Sequence, residues 1–270
     1  MGELKNKPIG VLDSGLGGLT LVRELERLLP HESIVYFGDN ANCPFGNRPK
    51  SEILGLSFAM LNFLKQQDVK IAAIACNTIS VLIEELSKPC DFPVVSIIEA
   101  ASKFVAGMKL KQVGIVATEF TIKQGLYETL IRNQHPHTQV YGQSSRTLAA
   151  LIDAGNFTDP ATKAEVESLV STLRQARPEL KHIVLGCTHY PIVLDLFEQA
   201  AADISFINPA QAQAEAVKTL LLDRGLLADG SADSKPASLD IFTSGEKAQY
   251  EAALKKLEIS RPAAVQIRKI

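Results

Sequence analysis

Four cysteines in 270 residues are too few to build a disulfide framework. Cys43, Cys76, Cys90 and Cys187 are therefore expected to be reduced, as in a cytoplasmic protein, and free for chemistry. Charge of one sign is also missing. With 28 basic and 30 acidic residues the formal net charge is -2, which excludes an electrostatic case for nucleic acid or an anionic membrane surface. No apolar run approaches the roughly 18 residues a membrane-spanning helix needs. The opening stretch from Met1 to Pro8 lacks the apolar core of a secretion signal. No Cys-x-x-Cys pair occurs, which weakens any zinc reading of Cys187 and His189. The metal expectation is none.

What is present is an alternation. Hydrophobic residues make up 46% and charged residues 21%, enough for a sizeable core in one large or two modest domains. Pro8–Leu12, Ser33–Phe37, Ile71–Ala75 and Val94–Ile98 read as short buried strands. Leu19–Leu29 and Ser51–Gln66 read as helices between them. Apolar strands alternating with amphipathic helices predict a parallel sheet covered on both faces.

The second part repeats the first. Val113-Gly-Ile-Val-Ala117-Thr118 resembles Ile9-Gly-Val-Leu-Asp13-Ser14, 104 residues earlier. Thr138–Gly142 echoes Ile34–Gly38, and the run into Cys187 echoes the run into Cys76, 111 residues earlier. Three features in one order at similar spacing predict a duplicated α/β unit. Pro209–Leu222 then reads as helix, 228–236 as a loop, Leu239–Phe242 as a strand and Lys247–Leu257 as a helix. This tail is too short for a third domain and is expected to pack on the first half. The predicted division is 1–98 with 209–270, and 99–208.

The chemistry-bearing residues sit where strands end. Cys76 follows Ile71–Ala75 and is itself followed by Asn77-Thr78. Cys187 follows Ile183-Val-Leu-Gly186 and is followed by Thr188-His189. The carboxyl ends of strands are where open α/β sheets bind ligands. A buried cysteine is usually a small hydrophobe, which covers Cys90 and Cys43. Two thiols in matching settings call for more. Facing each other, they suit removal of a proton from one face of a carbon and return of one to the other. His189 could serve as acid or base, or tune the thiol; His31, His135, His137 and His182 read as surface residues. Asp13-Ser14-Gly15-Leu16-Gly17-Gly18 opens a helix whose amides suit an anion, although Thr20 spoils the dinucleotide fingerprint. The loop Asp39 to Gly46 offers further amides.

Taken together, Asp13-Ser-Gly-x-Gly-Gly18, Cys43-Pro-Phe-Gly46, Ala75-Cys-Asn-Thr78, Thr118-x-x-Thr121-Ile122 and Gly186-Cys-Thr-His-Tyr-Pro191 resemble glutamate racemase, within the aspartate/glutamate racemase superfamily. The similarity runs from about Ile9 to Ala210. It implies two pseudosymmetric α/β domains with the active site between them, and interconversion of L- and D-glutamate without a cofactor. Racemization of a related acid such as aspartate is the alternative. It also implies a homodimer, and D-glutamate destined for peptidoglycan and the cell wall. Carried onto this chain, Cys76 and Cys187 are the acid/base thiols, acting on the D- and L-isomer respectively. Asp13 and His189 assist them. Substrate contacts fall to Asp13, Ser14, Phe45, Gly46, Asn77, Thr78, Thr121, Thr188 and His189.

Three departures stand out. Phe45 replaces a tyrosine usual in the family. A glutamate that some members place near the second thiol aligns with Asp153, one methylene shorter. Ala100 follows Glu99 where proline is common. No lysine lies beside any of these motifs, which fits direct proton transfer rather than Schiff-base chemistry.

Overall fold

The computed structural model describes residues 2–228, 230 and 237–270, so most of the expected 228–236 loop lies outside the described residues. Among them, ten strands are present: β1 (Ile9–Asp13), β2 (Ile34–Gly38), β3 (Ile71–Ile74), β4 (Val94–Ser96), β5 (Gln112–Thr118), β6 (Gln139–Ser145), β7 (His182–Gly186), β8 (Ser205–Ile207), β9 (Leu239–Thr243) and β10 (Ala263–Ile267). They form two sheets, β10-β9-β2-β1-β3-β4 and β6-β5-β7-β8, and every pairing is parallel. Helices flank both. Each residue of β1, β2 and β3 is buried, which is why these strands read as unbroken apolar runs and not as alternating ones.

The two sheets share one permutation. β2-β1-β3-β4 in the first is matched by β6-β5-β7-β8 in the second. The repeat seen in the chain is thus a repeat of topology, and it places Cys76 and Cys187 just past equivalent strands, β3 and β7. One apolar cluster spans both halves, with Ile9 and Val11 of β1, Ala73 of β3, Val116 of β5 and Leu185 of β7 among its members. That shared core holds the two sets of strand ends together.

Some elements differ from their predicted bounds. The strand expected over Val94–Ile98 stops at Ser96. The Ser96 hydroxyl accepts from Glu99 N at 3.3 Å and caps a helix over Ile97–Gly107, whose buried face includes Ile97 and Ile98. A short apolar run does not reveal whether it pairs in a sheet or turns into a helix. β10 has no counterpart among the predicted strands, because it lies at a sheet edge and is largely exposed, so no apolar signal marks it.

The C-terminal segment returns to the first sheet. Asn208 caps the Pro209–Asp223 helix, accepting from Ala210 N at 3.1 Å. β9 then pairs with β2 in register Ile34↔Leu239. A buried ion pair ties this return together. Lys70 Nζ lies 2.5 Å from Glu32 Oε2, and it also donates to Leu226 O at 2.9 Å and Lys5 O at 2.7 Å. Glu32 Oε1 accepts from Ala228 N at 2.8 Å. Both side chains are almost fully excluded from solvent. Lys70→Met leaves Glu32 buried without its partner. Urea denaturation is expected to show a loss of about 3–5 kcal/mol; a loss below about 1 kcal/mol would refute this role.

Candidate active site

The carboxyl ends of β1, β3 and β7 and the loop after β2 converge on one small cavity. Ser14 follows β1, Cys43 to Gly46 follow β2, Cys76 to Thr78 follow β3, Thr118 ends β5, and Cys187 to His189 follow β7; all of them line it, with Ala149. Its volume is about 10 Å³, room for roughly one water-sized group. Cys76 and Cys187 are 4% and 5% exposed, so both thiols are shielded from bulk solvent within the same enclosure. Ser14 Oγ lies 3.4 Å from Cys76 Sγ, and His189 Nδ1 lies 3.8 Å from Cys187 Sγ.

Each half contributes a polar frame. On the Cys76 side, Asn77 Oδ1 accepts from Tyr127 OH at 2.7 Å, while Asn77 Nδ2 is buried with no hydrogen-bond partner. A buried donor left in that state costs on the order of 1–3 kcal/mol. Thr78 Oγ1 lies 3.0 Å from Thr118 Oγ1, which lies 3.0 Å from Thr121 Oγ1. Thr121 therefore stands one layer behind the cavity wall. Gly46 packs so tightly on Thr118 that a Cβ there would lie 2.6 Å from Thr118 Cβ. The Phe45 ring is buried in an apolar cluster with Leu12, Phe37 and Ile74, so this loop is anchored by packing and needs no tyrosine hydroxyl for it.

On the Cys187 side, Asp13 lies behind the wall. Its Oδ2 accepts from Thr188 Oγ1 at 2.9 Å and its Oδ1 from Gly15 N at 3.0 Å. His189 Nε2 meets Asp153 Oδ1 at 2.8 Å, and that oxygen also accepts from Leu16 N and from Asn40 Nδ2, each at 3.0 Å. Donor atoms of Cys43, Asp153 and His189 come within 4.8 Å of one another. The imidazole and the carboxylate nevertheless engage each other directly, and Asp153 Oδ1 already has three donors. The trio is thus joined by a direct His189–Asp153 hydrogen bond.

Two buried thiols at equivalent strand ends, with hydroxyl, amide and imidazole neighbours, line one cavity. The family model for Asp/Glu/hydantoin racemases matches residues 9–217. The chain belongs to this racemase family. A glutamate racemase from Streptococcus pneumoniae is 38% identical over 197 residues, which is 72% of this chain and 74% of that protein. Among solved structures, a glutamate racemase from Francisella tularensis in complex with D-glutamate superposes with a TM-score of 0.85 at 29% identity, over 98% of both chains. A glutamate racemase isoform from Bacillus anthracis gives 0.88 at 29% identity, again over 98% of both.

Within this racemase family member, burial dominates the site's electrostatics. It pushes the Cys76 thiol up to about 12, and the nearby Asp13 charge adds to the rise, against the Ser14 hydroxyl. Cys76 thus holds its proton at neutral pH. Burial lifts Asp13 to about 6, although the His189 charge, the Gly15 amide and the Thr188 hydroxyl pull it down. Burial opposes the charge on His189, but hydrogen bonds with Asp153, Cys187 and Cys43 overcome it and hold the imidazole well above its usual range. Asp153 is held below its usual range, its burial outweighed by the His189 bond and charge.

Sequence reasoning does not find Cys43, Tyr127 or Asn40. Cys43 reads there as a packing residue like Cys90, whose thiol faces Leu86 O at 3.3 Å. Instead Cys43 lines the cavity, and burial pushes its thiol up to about 11 against the pull of His189. Only its place in a Pro-Gly loop after a strand could have signalled this. Tyr127 and Asn40 act across long stretches of chain and leave no local trace.

Asp13 makes stability pH-dependent with a definite sign. Its folded pKa lies above the ordinary 3.8, so between those values the folded state binds more protons than the unfolded one. The associated stability is full below 3.8 and is lost as pH rises through about 6. Asp13→Asn removes this term. From pH 4.5 to 7 the variant is expected to gain on the native protein by on the order of 2 kcal/mol in chemical denaturation. Parallel stability profiles for the two proteins would contradict the assignment.

Proposed function

We propose that this chain racemizes glutamate by direct proton transfer between two thiols. The observation that carries the reading is that Cys76 and Cys187, from equivalent strand ends of two sheets, line one cavity. As a thiolate, one sulfur removes the α-proton. The other, as a thiol, delivers its own proton to the opposite face of the carbanion. The pair ends with its protonation exchanged, and the α-hydrogen stands on the opposite face of the carbon. Cys76, held as a thiol, is in the donor state that L-glutamate requires. Cys187, with His189 beside it, takes the proton of the L-isomer; the roles reverse for D-glutamate.

The polar frame supplies the grip. Asn77 Nδ2, buried and unpartnered, gains a hydrogen bond when a substrate carboxylate reaches it. Asn77-Thr78 and Thr188-His189 hold the α-carboxylate and ammonium. Ser14 and the amides of Phe45 and Gly46 hold the side-chain carboxylate, while Asp13 and Thr121 act from the second layer. Among the described residues lining the cavity there is no lysine, so no Schiff-base partner stands beside the α-carbon. A cavity with room for one water does not hold glutamate. Residues 1–98 with 209–270 therefore part from residues 99–208 to admit it, and closing expels water from around the carbanion. On this reading the enzyme is a cytoplasmic homodimer whose product feeds peptidoglycan synthesis. No helix among the described residues is long and apolar enough to cross a membrane.

The test is incubation with L-glutamate in D₂O, followed by circular dichroism and NMR. The native protein is expected to lose optical rotation and to exchange the α-hydrogen, with L-aspartate much the poorer substrate. Faster turnover of aspartate would replace glutamate with aspartate as substrate. Cys76→Ala and Cys187→Ala should each lower racemization by about 10²–10⁴-fold, the usual weight of a proton-transfer group. Near-native racemization by either variant would sink the two-thiol mechanism.

A further inference from the structure

The Cys187 side of the cavity is held from behind by a hydrogen-bonded chain that ends in the C-terminal segment. His189 bonds Asp153, and both carboxylate oxygens of Asp153 accept from Asn40 Nδ2, at 3.0 and 2.9 Å. On its other end, Asn40 Oδ1 accepts from Tyr250 OH at 2.5 Å and from Thr243 Oγ1 at 3.2 Å. The amide orientation is forced. An ionised carboxylate only accepts, so the Asn40 NH₂ must face Asp153 and its oxygen must face the hydroxyls.

Tyr250 belongs to the Lys247–Lys256 helix and is completely buried. Its ring packs edge-on against Tyr36 at 6.1 Å, and its hydroxyl also reaches Gly15 O at 3.1 Å. Gly38 makes room for it, since a Cβ there would lie 1.9 Å from the Tyr250 oxygen. The β9–helix connection clamps the same loop a second time. Ser244 Oγ donates to Asp39 Oδ1 at 2.6 Å and accepts from Ala41 N at 3.0 Å. The family match ends at residue 217, so Thr243, Ser244 and Tyr250 lie beyond the matched segment.

We infer that Asn40 and Tyr250 are positioning residues for proton transfer at Cys187. Tyr250 orients the Asn40 amide, Asn40 fixes the Asp153 carboxylate, and Asp153 sets the His189 ring 3.8 Å from the Cys187 sulfur. Asp153 is the residue that needs such help, because its short side chain must span from the second sheet to the loops of the first. A carboxylate drawn by Leu16 N and Asn40 Nδ2 on one side and His189 on the other has one position. The C-terminal helix is thereby part of the proton-transfer apparatus as well as a cover for the sheet.

The kinetic consequence rests on the racemase reading, and the test separates the two. Tyr250→Phe keeps the ring and removes one hydroxyl; it should lower kcat about three- to tenfold, the weight of one net hydrogen bond. Asn40→Ala should lower it about 10- to 100-fold, as the loss of an orienting partner behind a reacting group typically does. The two enantiomers have equal energy in water, so kcat/KM must fall equally in both directions and cannot discriminate. Primary isotope effects can. Slowing the Cys187 step alone should raise the effect measured with L-[2-²H]glutamate and lower the one measured with D-[2-²H]glutamate. Lower rates with both isotope effects unchanged would show a merely structural role and overturn the inference, as would native rates. The imidazole N–H resonance of His189, followed by NMR without substrate, is an independent probe of the same chain. It should shift in both variants, and an unmoved resonance would overturn the inference even if glutamate proved not to be the substrate.

Discussion

The proposed reaction requires two sulfurs on opposite sides of one carbon, neither free to wander. The ends of strands meet that requirement. A thiol just past a buried strand end is fixed by the hydrogen-bond ladder on one side and by a helix or turn on the other. Duplicating the unit supplies the second thiol at the equivalent place. The common permutation of the two sheets, with one apolar cluster joining them, brings both thiols to the lining of one cavity.

Burial then does most of the electrostatic work. In a dry enclosure every charge is expensive unless it is paired or hydrogen-bonded. Cys76 keeps its proton, Asp13 is lifted to about 6, and the His189–Asp153 contact concentrates opposite charges next to Cys187. The two sides of the cavity are thus chemically unlike although their strands are alike. A hydroxyl stands beside one sulfur and an imidazole beside the other.

Much of this is legible in the chain. The buried strands show as apolar runs, and the two cysteine motifs show as strand, thiol and polar neighbour. The inner strands of the first sheet, the repeat and the identity of the residues around both thiols follow from local pattern. The contributions of Asn40, Tyr127 and Tyr250 do not. Tyr250 is separated from Asn40 by 210 residues, and nothing in its helix marks it as more than a core aromatic. Cys43 looks like packing because a thiol in a loop has no period or partner in sequence. The boundary at Ser96 and the edge strand β10 are hidden for a different reason: the first depends on which neighbour an apolar run meets, and the second carries no apolar pattern at all.

The sequence by itself determined the parts: short buried strands, the helices between them, the duplication, and two thiols each followed by hydrogen-bonding residues. These are properties of nearest neighbours along the chain, where hydrophobic period and residue type are enough. Only the tertiary structure decided the assembly of the site. It set which oxygen of Asp153 meets His189, left one amide of Asn77 unpartnered, and brought the C-terminal helix to the back of the Cys187 side. Hydrogen bonds act over about 3 Å, and which groups come that close is settled by how the two sheets pack, after local pattern has had its say.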